Sequence, residues 1–187
     1  TNSFNLVWEK ICAEIMDNQL DVPLGILKLP VPLKEDYNRR QKLIELIEKP
    51  LWTITGKCAK DTLIPDLVSI CKVNEQHQFI IFDAKYYNAH LEKGIVPTGQ
   101  PGIESITKQY LYQLAYQRFI EDHNFSSVKN CFLLPTENNE IEDKGEVRME
   151  MLSNLVLQDI KIRLIPATMA YDLYLSGSKM DMERLDL

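Results

Sequence analysis

Long apolar runs are missing from this sequence. Nowhere do about 18 apolar residues follow one another, the length that crosses a bilayer, and no basic stretch leads into an apolar one near the start. The expectation is a cytoplasmic chain with no membrane-spanning helix and no export leader. Histidine is scarce: His77, His90 and His123 fall in polar loops or at element ends, none at ligand spacing from a cysteine or an acid. Cys12, Cys58, Cys71 and Cys131 are scattered through mostly apolar segments and read as reduced core thiols. Zinc catalysis and Cys-His nucleophilic chemistry therefore lack the clusters they need. Glycine is sparse as well. Gly94, Gly99 and Gly102 do not follow a phosphate-loop pattern and no Gly-Lys-Ser/Thr occurs, so nucleotide-driven work would fall to a partner. Positive charge is in deficit, with a net charge of −6. That argues against affinity for nucleic acid from a broad basic face, because such binding is driven by phosphate neutralisation and counterion release. Local basic groups remain at Lys34, Arg39, Arg40 and Lys42, and at Lys57 and Lys60.

With 187 residues the chain can bury a sizeable core and reads as one domain. It opens on Thr1 rather than Met, so residues 1–187 are expected to be a single domain excised from a longer chain, with an upstream domain. Asn2 to Met16 reads as an amphipathic helix capped by Asn2 or Ser3, with a stripe of Phe4, Val7, Trp8, Ile11 and Ile15. Asp21 to Pro32 carries three prolines and a glycine and reads as an extended connection. Lys34 to Glu48 has helical periodicity up to Pro50, and Leu51 to Thr55 suits a short strand. Thr62 to Val73 and Gln78 to Tyr86 read as two strands of a hairpin, turning through Asn74-Glu75-Gln76-His77. Asn88 to Gly102, rich in Gly and Pro, is a flexible loop expected to border a substrate groove and to become ordered on DNA.

Ile103 to Asp122 is a helix in which Leu111, Leu114, Ala115 and Phe119 form one stripe and Gln109, Gln113 and Gln117 another. Val128 to Leu134 and Ile160 to Ile165 read as strands, Asn138 to Lys144 as an acidic loop and Glu146 to Leu152 as an outer strand. A helix over Ala167 to Leu175 and a polar tail over 176–187 complete the chain. This order suits an α/β sandwich with a mixed central β-sheet flanked by helices.

The hairpin concentrates the chemistry. If it folds about Glu75 and Gln76, opposing residue numbers sum to about 151, and Asp66 lands opposite Lys85. Asp83 and Lys85, two apart on one strand, share a face with it. Asp83 follows the apolar run Phe79 to Phe82, and a charge at the end of such a strand needs a reason. Two carboxylates, with the Ala84 carbonyl as a further oxygen, suit a hard cation such as Mg²⁺, which binds through one or two carboxylates plus substrate phosphate. A cation held there polarises a phosphoryl oxygen and lowers the pKa of its water. Lys85 would orient that water or neutralise developing charge. Without a cation the acids would repel one another and one pKa would rise. The glutamine row offers neutral amides to a water, a phosphate or a base edge.

At Ile64-Pro65-Asp66, Asp83-Ala84-Lys85-Tyr86-Tyr87 and the helix segment Lys108 to Tyr116, the chain resembles the PD-(D/E)xK nuclease superfamily. Within it, the chain is similar to the LlaJI-type restriction endonucleases and their relatives, the McrC nuclease subunits. The opening Phe4 to Met16 segment, with Trp8-Glu9 and Cys12, looks like that family's first helix. The resemblance implies a restriction-endonuclease-like sandwich and Mg²⁺-dependent hydrolysis of double-stranded DNA, with Mn²⁺ as a substitute metal. Asp66 and Asp83 would be ligands, Lys85 the motif lysine and Gln113 the helix residue of the site. A first-helix glutamate often joins the metal. Glu9 and Glu14 both flank the apolar stripe and spacing does not choose between them; Glu9 is the one preferred. Service beside a GTP-hydrolysing AAA+ subunit or a separate DNA-recognition domain is also implied, and cutting both strands would call for a homodimer. Two other readings stay open: a repair or recombination nuclease acting on branched or single-stranded DNA, and a non-catalytic module that keeps the fold and binds protein through its acidic surface.

Overall fold

A computed structural model describes the backbone of residues 2–187 and the side chains from residue 4 onward. Helix α1 (Asn2–Ile15) leads the chain, and the caps expected at Asn2 or Ser3 lie on side chains outside the described residues. A small exposed hairpin, β1 (Leu51–Trp52) and β2 (Lys57–Cys58), stands apart from the main sheet. That sheet comprises β3 (Leu67–Val73), β4 (Gln76–Ala84), β5 (Ser127–Thr136), β6 (Glu142–Val147) and β7 (Ile160–Pro166) in the order β3-β4-β5-β7-β6. The strands β4, β5 and β7 run parallel, and β3 and β6 are antiparallel edges. Helix α2 (Ile103–Asp122) makes the crossover from β4 to β5, and α3 (Ala167–Ser176) follows β7. The architecture is the expected α/β sandwich, with a mixed sheet between helices.

Burial explains the layers. Strand β4 is buried continuously from Gln78 to Ala84, as a central strand covered on both faces must be. Ile80, Phe82 and Ala84 pack with Trp8, Ile11 and Ile15 of α1 and with Ala170 of α3. Phe79 and Ile81, pointing the other way, pack with Tyr112, Tyr116 and Phe119 of α2. Trp8 also donates its indole N–H to the Leu133 carbonyl at 3.1 Å, which fixes α1 across the ends of the strands. Asn18 and Gln19, just past α1, satisfy the outer edge of β3. Val68 N donates to Asn18 Oδ1 at 3.0 Å, Gln19 N to the Val68 carbonyl at 2.8 Å, and Gln19 Nε2 to the Ile70 carbonyl at 3.3 Å.

Several elements differ from their sequence expectation. The hairpin turns at Asn74-Glu75, both with positive φ (47° and 66°), rather than at Glu75-Gln76. A two-residue turn of that hand matches strand twist, and asparagine adopts it cheaply. The segment 34–48 is not an α-helix, and its helical part is a 3-10 turn over Leu43–Leu46. Its backbone pairs with 20–25 instead, with Leu24 N on the Gln41 carbonyl at 2.8 Å and Ile44 N on the Leu20 carbonyl at 2.9 Å, so those groups are spent outside any i→i−4 ladder. The first strand stops at Trp52 and the strand expected from Thr62 begins only at Leu67. The end of the acidic loop, from Glu142, is strand β6, where the buried Arg163 of β7 takes Asp143 as its charge partner. The outer strand expected through Leu152 gives way to a 3-10 turn over Glu150–Leu155. His123, assigned to an element end, is fully buried. It accepts Lys34 N at 3.3 Å and bonds the Phe119 carbonyl at 2.7 Å. The loop after β4 is pinned by pairing of His90 with Thr98. Gly99 (φ +65°) closes it, since a Cβ there would sit 2.3 Å from the Asn88 carbonyl oxygen.

The polar tail is part of the core. Met180 N donates to the Ile15 carbonyl at 2.7 Å, Met180 and Leu185 are buried, and Arg163 donates to the carbonyls of Leu185 and Asp186. A guanidinium only 1% exposed needs those acceptors, because an unpaired buried charge is costly. Leu185→Ala is therefore expected to lower unfolding stability by about 2–5 kcal/mol, and deletion of 180–187 by more, as read from urea denaturation. A truncated protein as stable as the parent would show that the tail is a bystander.

Candidate active site

The parallel strands all end on one side of the sheet, the side where open α/β sheets form crevices. Asp83 is the next-to-last residue of β4 there, and its side chain follows Phe79 and Ile81 toward α2. The observed register pairs Leu67 with Phe82, so Asp66 comes opposite Asp83 rather than opposite Lys85. The two-residue shift leaves parity unchanged, and the three charged groups still share a face. Lys85 Nζ lies 2.7 Å from Asp83 Oδ1 and 3.5 Å from Asp66 Oδ2. Asp66 Oδ2 also accepts the Ala84 N–H at 2.9 Å, which fixes the carboxylate against the strand end. Lys85 N is held by the Leu133 carbonyl at 2.9 Å, so odd-numbered residues of β4 bond β5 and even-numbered ones face β3. Continuing that ladder, the donor to the Ala84 carbonyl would be residue 65. Pro65 has no N–H to give, so the Ala84 oxygen keeps its lone pairs at the mouth of the site.

The electrostatics are those of acids crowded out of water. Asp83 is 5% exposed and its pKa is pushed up to about 8, first by burial, then by a hydrogen bond and repulsion from Asp66, with Lys85 opposing. For Lys85, burial alone would lower the pKa, but the carboxylates of Asp83 and Asp66 overturn that and raise it. The ammonium thus stays charged, while burial and the neighbouring Asp66 disfavour the charged form of Asp83. Glu9 faces the same cluster. Its pKa is raised by burial and then by Asp66, with Lys85 opposing. Glu14 points elsewhere, exposed and 3.8 Å from Lys179. Among the described residues no three His, Cys, Asp or Glu side chains are gathered closely enough to hold a metal as they stand.

Helix α2 spans the expected residues but turns a different face inward. Leu111 and Leu114 are exposed, while Gln109, Tyr110, Tyr112, Gln113, Tyr116, Phe119 and Ile120 are buried. Gln113 is not brought to the acid cluster by any hydrogen bond. Its Oε1 accepts Asn130 Nδ2 at 2.7 Å and Gln158 N at 3.1 Å. Gln109 Nε2 donates to the Ile81 carbonyl at 2.7 Å, and Gln117 lies outside, bonded to Glu121. The residue that α2 does send to the site is Tyr112, which sequence reasoning missed. Its hydroxyl donates to the Ile64 carbonyl at 2.9 Å, and its pKa is pushed up to about 12 by burial and then by Asp83 and Asp66. The signal was present: Gln109, Tyr112, Gln113 and Tyr116 recur at i, i+3, i+4 and i+7, the spacing of a buried stripe. Ranking positions by hydropathy hid it.

Residues 1–172 match the LlaJI restriction endonuclease family. The chain belongs to the LlaJI restriction endonuclease family. It is also similar to the type II restriction enzyme BsuMI component YdjA of Bacillus subtilis (strain 168), 27% identical over 191 aligned residues. That similarity covers 99% of this chain, which spans 35% of the relative's length. No solved structure matches it. The family match includes every element that builds the acid cluster: α1 with Glu9, the hairpin with Asp66, Asp83 and Lys85, and α2 with Tyr112. In this LlaJI-family chain the two acids reach each other through a two-residue turn and a proline that ends the ladder.

Raised acidity of Asp83 makes a prediction about the metal-free protein. A folded pKa above the unfolded value contributes stability that is complete below the unfolded pKa and is lost as pH rises through the folded one. Asp83 faces Asp66, Lys85 and Tyr112, with Glu9 nearby. In EDTA, Asp83→Asn is expected to melt higher than the parent at pH 8, the gap narrowing toward pH 4. Thermal melts across that range check it; a constant gap would remove ionisation as its cause.

Proposed function

We propose that this chain is the Mg²⁺-dependent DNA-cleaving domain of a restriction system, with the PD-(D/E)xK arrangement of its site residues. The observation that carries the reading is the convergence of Asp66, Asp83 and Lys85 at the carboxyl end of β4. Family membership and the relative's name, a component of a type II restriction enzyme, support it. The donor set fits a hard cation: two carboxylates, one of them disfavoured as an anion until a cation arrives, and the Ala84 carbonyl left without a ladder donor by Pro65. Mg²⁺ binds through one or two carboxylates and completes its shell with water and substrate phosphate, so three protein acids are not required. When bound, it would polarise the phosphoryl oxygen and acidify a water.

The chain's own residues do the rest. Asp83, raised by burial, would ionise as a cation binds, and Asp66, anchored to Ala84 N, stays in place. Lys85, freed from the two carboxylates, orients the attacking water or neutralises charge on the phosphate oxygens. Glu9 of α1 feels the charges of Asp66 and Lys85 and would offer an oxygen to water bound there. Tyr112 keeps the Ile64–Asp66 segment against the strand end. An acidic domain grips DNA weakly by itself, which agrees with work shared with a DNA-recognition domain, a GTP-hydrolysing AAA+ subunit or a second copy. A cytoplasmic setting suits its four free thiols. One observation favours a non-catalytic module instead: the Lys85 ammonium already sits between the two acids, where a cation would bind.

A supercoiled-plasmid nicking assay with Mg²⁺ decides. Lys85→Ala is expected to slow nicking roughly 100-fold or more, and equal rates would remove Lys85 from the mechanism. Calorimetric titration with Mn²⁺ should give a binding signal that Asp83→Asn abolishes. An inert parent would favour the module.

A further inference from the structure

Beside the acid cluster lies a cleft of roughly 790 Å³, walled by the segments that leave β4, β5 and β7 and by the start of α1. It lies at the carboxyl ends of the same parallel strands, and two chain segments lead from the site into it. Tyr86 follows Lys85 directly, and Asn5 sits one helical turn before Glu9 on the same face of α1. From β4 to β7 is two strand spacings, roughly 10 Å, or about three nucleotide rises along one DNA strand at 3.4 Å each.

Its lining is aromatic and neutral. Phe4 and Tyr86 stack with ring centroids 5.9 Å apart and planes 21° from parallel, and both are exposed, at 57% and 44%. Asn5, Asn88 and Asn138 bring amides, and no lysine or arginine lines the cleft. The one charged lining residue, Glu137, is a carboxylate outside every ion pair among the described residues. A phosphate would find no counter-charge there and would meet a like one. A nucleobase finds what it needs: flat rings for its face, and amides with a carboxylate acceptor for the exocyclic amine of adenine or cytosine.

We propose that this cleft is a subsite for an unpaired nucleobase of the strand being cut, stacked against Tyr86 and Phe4, next to the phosphate presented to Asp66, Asp83 and Lys85. The proposal rests on the nuclease reading for its substrate and adds the state of that substrate. A base reaches aromatic rings face-on only after leaving the duplex stack, so the domain takes DNA whose strand is locally opened at the cut.

The test is base-dependent binding, measured with Ca²⁺ in place of Mg²⁺ on a single-stranded oligonucleotide carrying one 2-aminopurine, with an abasic oligonucleotide of the same length as competitor. Binding is expected to quench the 2-aminopurine. Tyr86→Ala and Phe4→Ala should each weaken binding roughly tenfold, the scale of one lost base stack, with melting temperatures unchanged because both rings are exposed. Tyr86→Phe should retain affinity. Glu137→Gln should reduce the preference for adenine and cytosine over thymine. Equal affinity for abasic and base-bearing strands, or an unaffected Tyr86→Ala, overturns the subsite. Plasmid nicking by the parent reports separately on the nuclease reading. Nicking without base-dependent binding removes the subsite alone, and base-dependent binding without nicking removes the nuclease alone.

Discussion

A carboxylate placed at the end of a buried apolar strand is the constraint around which this domain is arranged. Four of the five residues before Asp83 are large apolar side chains in the core, and water is largely gone by the time the chain reaches it. Such an acid cannot stand alone. It is met by a second acid across the hairpin and by an ammonium two residues on, and the three leave a surplus of negative charge that a proton or a cation must balance. The fold places each one: the turn at Asn74-Glu75 sets which acid faces which, Pro65 ends the ladder beside Ala84, and Trp8 anchors α1 so that Glu9 reaches the same space.

Farther along the same face of the sheet, under α2, a different problem is solved. Gln109, Gln113 and Asn130 are buried among aromatic side chains and bond one another and the neighbouring backbone, with Gln109 Oε1 left over. A polar network of this kind accepts fewer arrangements than an oily one, because a slipped register would strand amides without partners. It sets the position of α2 along β4 and β5, and therefore where Tyr112 meets the Ile64–Asp66 segment. The glutamines thus reach the chemistry through geometry.

Much of this was legible in the sequence. The central strands, α2 and the α/β class follow from apolar runs and turn residues, and the sharing of a face by Asp66, Asp83 and Lys85 follows from the period of two along a strand. The partner of Asp66 was misjudged because one residue's difference in the turn moves the register by two, and composition alone does not show that Asn74 and Glu75 both adopt positive φ. The segment 34–48 has helical periodicity, yet its amides are claimed by residues far away in sequence. The tail looked solvated because Met180 and Leu185 are isolated among polar residues, and the bonds that tie Met180 to Ile15 and the Leu185 carbonyl to the buried Arg163 are visible only in three dimensions. The inward face of α2 was hidden because its interior is amide and phenol, which a hydropathy stripe does not mark.

Asn18 and Gln19 lie along the free side of β3, where they take up the Val68 N–H and the carbonyls of Val68 and Ile70. An edge strand so occupied offers no template there for another strand, so sheet extension from one copy to the next is blocked beside the hairpin that carries the acids. Two copies that met on this side of the sheet would do so through helices or loops, and the angle between their acid clusters would be set by those surfaces rather than by strands of β3 laid side by side.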